Sequence, residues 1–129
     1  MRRVSLFAVP LLLVLVGCSG GGARSVSHTV SYELNMVGPV AFANITASYT
    51  DAQGHQVKTT MFGASWSLQV TVAYPKVKSV DLAGSFTPDP AEPNPGQSAQ
   101  LRCTISIDGK MAERHTDYVP VCRTSLAGR

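Results

Sequence analysis

Apolar and polar residues alternate one by one through five separate stretches of this chain, a period that a strand satisfies and a helix does not. Val30, Tyr32 and Leu34 fall on one side, with Ser31, Glu33 and Asn35 on the other. Ala43, Ile45, Ala47 and Tyr49 alternate with Asn44, Thr46, Ser48 and Thr50, and Trp66, Leu68, Val70 and Val72 with Ser65, Ser67, Gln69 and Thr71. Val80, Leu82 and Phe86 share a face around Gly84, and Leu101, Cys103, Ile105 and Ile107 alternate with Arg102, Thr104 and Ser106. No window sustains helical periodicity. Each stretch offers one apolar face, and two antiparallel sheets packed through those faces would bury them all. Asp51-Ala52-Gln53-Gly54 and Asp108-Gly109 sit between such runs, and Asp-Gly is a strong two-residue hairpin signal. Four prolines within Thr87–Gly96 (Pro88, Pro90, Pro93, Pro95) mark an exposed connection. The expected fold is all-β, an immunoglobulin-like antiparallel sandwich of about seven short strands.

The start of the chain has a different character. Arg2 and Arg3 precede an apolar run from Val4 to Val16, broken only by Ser5. At 13 residues that run falls short of the roughly 20 needed to cross a bilayer. A basic segment, a short apolar segment and a small-residue junction describe a secretory signal. Its end, Leu15-Val16-Gly17-Cys18, resembles the lipobox of bacterial lipoproteins. The resemblance implies lipidation of the Cys18 thiol and cleavage that leaves Cys18 as the mature N-terminus; the plainer alternative is an ordinary cleaved signal with an incidental cysteine. The domain plan is therefore a signal over 1–17, a lipidated glycine- and serine-rich tether over 18–27 and a β-sandwich over 28–129, held at the outer face of the cytoplasmic membrane.

Removing 1–17 leaves 112 residues, enough for a single core, with nine Lys/Arg against eight Asp/Glu. No basic stripe argues for nucleic acid. With Cys18 taken by lipid, Cys103 and Cys122 remain as an even pair in an oxidising compartment, and a disulfide between them is expected, free buried thiols being the alternative. Geometry then restricts the C-terminus. If Asp108-Gly109 is a two-residue turn, Ile107 pairs with Lys110 and Cys103 falls opposite Arg114. Straight extension would leave Cys122 about 26 Å beyond, whereas a disulfide needs Cα atoms within about 7 Å. A bend around Tyr118-Val119-Pro120 and a final strand through Val121–Thr124 follow.

Little in the domain suggests catalysis. His28, His55 and His115 lie on separate segments beside polar neighbours and read as surface histidines, a two- or three-histidine metal site being the less favoured reading. No carboxylate pair has a recognisable catalytic spacing. Gly63-Ala64-Ser65-Trp66-Ser67 opens like a nucleophile elbow but ends on serine. Asn44-Ile45-Thr46 matches a glycosylation pattern that a bacterial lipoprotein would not use, and Pro90-x-x-Pro93 is one weak ligand pair. Trp66 belongs to the core side of its strand. No catalytic residue, metal or cofactor is expected, and a binding or scaffolding role is.

Tyr32, the run Asn44-Ile45-Thr46-Ala47-Ser48-Tyr49-Thr50-Asp51 with Gly54, Trp66, the run Cys103-Thr104-Ile105-Ser106-Ile107-Asp108-Gly109-Lys110, and Cys122 together carry a resemblance over most of residues 28–124. The chain resembles the MmpS family, small membrane proteins of mycobacteria and related actinobacteria. The resemblance implies a β-sandwich with one disulfide outside the cytoplasmic membrane, and a role as accessory partner to large RND-type exporters of lipids and siderophores. Family members carry a transmembrane helix where this chain has the lipobox, and a Leu-Pro-Trp approach where it has Phe62-Gly63-Ala64-Ser65-Trp66. The leading expectation is an envelope lipoprotein that contacts a membrane exporter. The alternatives are a lipoprotein that binds a lipid or wall component, and, from the fold alone, an inhibitor or adhesion module.

Overall fold

A computed structural model describes residues 24–39, 42–88 and 99–129. Eight strands follow in order: β1 (Val26–Val37), β2 (Ala43–Thr50), β3 (Gln56–Gly63), β4 (Ser65–Tyr74), β5 (Ser79–Pro88), β6 (Gln100–Ile107), β7 (Lys110–Asp117) and β8 (Val121–Ser125). They form two antiparallel four-stranded sheets, β4-β1-β6-β7 and β3-β2-β5-β8. The molecule is thus an all-β sandwich, as the alternation requires. The signal, Cys18 and the tether up to Ala23 lie outside the described residues, as do the prolines at 90, 93 and 95.

The alternating residues do what their period demands. Val30, Tyr32 and Leu34 of β1, Leu101, Cys103 and Ile105 of β6, and Ile45, Ala47 and Leu82 of the facing sheet are sealed from solvent in one core. Trp66 belongs to the same cluster, and Tyr49 sits between it and Tyr32, with ring centroids 5.5 and 5.6 Å away. The buried Tyr32 hydroxyl donates to the Thr50 carbonyl at 2.7 Å, tying β1 to the opposite sheet. Burial pushes this phenol far above its ordinary range, so it stays a donor at any pH the fold survives. At Gly84 the sheets approach most tightly: an added Cβ would lie 2.6 Å from Leu101 Cδ2 and 2.8 Å from Leu34 Cδ2.

Several details differ from the sequence expectation. There are eight strands rather than about seven, because β3 pairs along the whole of β2. It is an edge strand that buries little, so its alternation is weak. Thr87 and Pro88 do not begin the loop; they end β5, with Pro88 opposite Ala43, a strand end where a missing N–H costs little. The Asp108-Gly109 turn is as expected, with both residues at positive φ (51° and 80°), and Ile107 pairs with Lys110. Cys103, however, faces His115 instead of Arg114. A bulge between Ile105 and Ser106 leaves Ala112 as the extra residue of β7, where it packs against the core. The chain then bends at Tyr118-Val119 and returns as β8 in the other sheet, where the fully buried Pro120 accepts from the Gly84 N–H at 3.0 Å.

Candidate interaction surfaces

The strand directions sort every connection to one of two ends. β1, β3, β5 and β7 finish at one end, where β2, β4 and β6 begin. The β2–β3, β4–β5 and β6–β7 turns, the entry to β1 and the residues after β8 lie at the other. We call these the far end and the entry end.

Cys103 and Cys122 are joined across the sandwich, with S–S 1.99 Å and Cα–Cα 6.0 Å. This is the pairing expected, and it clamps β6 to β8. Cys18, the expected lipidation site, lies outside the described residues.

The histidines are not brought together. His55 and His115 are exposed, as expected. His28 corrects the expectation: it is 2 % exposed, because its even position in β1 points inward with Val30 and Tyr32. Its Nδ1 lies 2.7 Å from Asp108 Oδ2; the carboxylate can only accept, so the proton sits on Nδ1, and the buried Nε2 has no partner. Asp108 Oδ1 accepts from the Thr29 N–H at 2.9 Å. The His28 bond, followed by the Thr29 bond, holds the Asp108 carboxyl below the usual carboxylate range. The pair pins the β6–β7 turn to β1. Among the described residues no group of three or more His, Cys, Asp or Glu could hold a metal ion.

The outer face of the β3-β2-β5-β8 sheet carries one connected polar row. Thr50 Oγ1 donates to Asp81 Oδ1 at 2.7 Å, Gln56 Nε2 donates to Thr50 Oγ1 at 2.9 Å, and Arg123 lies 3.3 Å from Asp81 Oδ2. These residues satisfy one another and read as cross-strand glue. On the outer face of the other sheet, a depression of about 620 Å³ is lined by Ser31, Glu33, Ser67, Gln69 and Ser106. Tyr32, Leu68 and Gly109 complete the lining, so hydroxyl, amide and carboxylate groups share it about equally with apolar surface.

The far end carries an exposed aromatic pair. Phe42 and Phe62 stack at 6.0 Å with an interplanar angle of 17°, and are 49 % and 55 % exposed, with Met61 beside Phe62 in sequence. Tyr118, Val119 and Val121, all more than half exposed, follow from the β7–β8 bend. Val119 leans over the sheet face beside Thr46 and Ser85. Sequence reasoning passed over these residues because each stands outside a clean alternation; the consecutive apolar pairs Met61-Phe62 and Tyr118-Val119 were the available signal. No family model and no curated protein matches the chain.

Proposed function

We propose that the protein is an envelope lipoprotein of MmpS-like type, anchored through Cys18, that acts without catalysis as a binding module for an integral membrane exporter of lipids or siderophores. The observation that carries this is polarity along the strand axis. The tether enters β1 at one end, and the stacked, half-exposed aromatic pair Phe42 and Phe62, with Met61 next in sequence, lies at the other, whereas among the described residues the entry end exposes only the separate Val26 and Met111. An anchor at Cys18 turns those apolar residues away from the bilayer, toward whatever stands above it. Exposed aromatic clusters of this kind suit protein partners better than water. The clamped sandwich and the resemblance carried by Tyr32, Trp66 and the cysteine pair support the same reading.

Placing a photo-crosslinking residue at Phe62 in intact cells should capture a large membrane transporter, and deleting the gene should lower secretion of lipid or siderophore. Recovery of no transporter together with unchanged secretion overturns the reading. The depression around Ser31, Glu33 and Gln69 favours a second reading, a lipoprotein that holds a hydroxylated wall component. Native mass spectrometry against wall fragments separates the two.

A further inference from the structure

The entry end carries a second asymmetry, in charge. Arg24 before β1, Lys76 and Lys78 in the β4–β5 turn, Lys110 after the Asp-Gly turn and Arg129 beyond β8 all lie there, and all are exposed. Among the described residues none of the five forms an ion pair. Among the described residues three acidic side chains share this end, and all are engaged by the fold. Asp81, level with Thr50, accepts from Thr50 Oγ1 at 2.7 Å and lies 3.3 Å from Arg123. Asp51 accepts from the Gln53 and His55 N–H groups of its own turn at 2.9 and 2.8 Å. Asp108 accepts from His28 and Thr29. A chain close to neutral overall therefore presents five exposed cations on one pole, of which Arg129 is held in place by the Ser125 carbonyl at 3.0 Å and Thr124 Oγ1 at 3.2 Å. Part of that pole is concave, a hollow of about 290 Å³ between Asp108, Lys110 and Arg129.

We infer that the entry end is a docking surface for anionic phospholipid headgroups, on which the domain stands against the bilayer. The inference rests on the anchor reading for its orientation. Arg24 lies six positions after Cys18, and a glycine- and serine-rich sequence of that length reaches about 13 Å. That is only slightly more than the Debye length of about 8–10 Å at ordinary ionic strength, so the tether delivers the cations into the range where an anionic surface attracts them. Five cations arriving from four separate chain segments on one side match a planar anionic surface better than a narrow acidic peptide.

Every strand, the core and the disulfide lie between Val26 and Leu126, so the unlipidated segment 19–129 keeps the whole fold. Co-sedimentation of that oxidised segment should show binding to vesicles containing about one-third phosphatidylglycerol, none to pure phosphatidylcholine, and loss of binding when salt rises from about 0.1 M to about 1 M. Lys76→Glu should weaken partitioning at least about fivefold, and the triple variant Lys76→Glu/Lys78→Glu/Lys110→Glu more than about a hundredfold. Arg114→Glu, on the flank, should leave it near wild type. Equal binding to both vesicles, binding to neither, or a triple variant that still binds would overturn the inference. So would a preference for soluble polyanions over vesicles. Because the assay has neither acyl chain nor exporter, its failure is distinct from failure of the transporter crosslink.

Discussion

Replacing Gly84 by alanine tests how tightly the two sheets are drawn together. The new Cβ would sit 2.6 Å from Leu101 Cδ2 and 2.8 and 3.0 Å from the two Leu34 methyl carbons, all inside ordinary van der Waals contact. Both leucines are fully buried, and the Gly84 N–H is held by the Pro120 carbonyl, so neither side yields freely. Overpacking of this kind costs about 1–3 kcal/mol. Alanine also restricts the unfolded chain, which offsets the loss by about 0.4–1 kcal/mol. The net loss is about 1–2 kcal/mol, or roughly 5–15 °C in Tm for a domain of this size. Thermal melts of the oxidised segment 19–129, followed by circular dichroism, measure it. Adding Leu101→Val to Gly84→Ala should recover part of the loss, although Leu101→Val alone destabilises by about 1 kcal/mol. An unchanged or raised Tm for Gly84→Ala would refute the close approach, and strictly additive effects would show that Leu101 is not what the new methyl meets.

Tyr32→Phe strips the buried Thr50 carbonyl of its donor and should cost about 1–2 kcal/mol in urea unfolding, against no change if that bond is idle. Cys103→Ser should lower stability by about 3 kcal/mol, given a sequence separation of 19, and leave Cys122 reactive to thiol reagents on denaturation; a chain with no titratable thiol would contradict the pairing. The Asp108 carboxyl is held low in the folded state, so its contribution is complete above the unfolded value near pH 3.9 and fades as pH falls through the lower folded value. Asp108→Asn should accordingly melt with a shallower loss of Tm below about pH 4 than wild type, and identical acid limbs would show that the His28 contact does not matter. Cys18→Ser should abolish labelling by palmitate and release the domain from membranes while its melt stays unchanged; a labelled variant would place the lipid elsewhere.

The central strands were legible because each buries one whole face: β1, β2, β5 and β6 all lie inside their sheets, and their alternation is clean. The edge strand β4 alternates just as cleanly, but the edges β3 and β7 were harder. β3 carries Val57, Thr59 and Met61 on its inner side, too mixed a set to announce a strand, and β7 hides a bulge that moves Cys103 one residue along its partner. A bulge leaves almost no trace in sequence, since one extra residue alters pairing without altering composition. His28 looked like a surface residue because its neighbours Ser27 and Thr29 are polar, yet parity with Val30 already placed it inside. The charged pole was hidden in a different way. Net charge gives no hint of it, because its five cations are spread from Arg24 to Arg129. They become one surface only when alternate connections are assigned to the same end, which requires knowing the direction in which each strand runs.

The last strand is the shortest of the eight described. β8 is five residues long, and only β5 lies beside it. Its bond to β6 is therefore a latch on the tail of the chain. In a compartment that keeps thiols reduced, this is the piece that comes adrift first, uncovering Leu82 and Leu126 and carrying Arg129 away from its neighbours. The cross-sheet bridge is thus what fastens the tail of the chain to the rest of the sandwich.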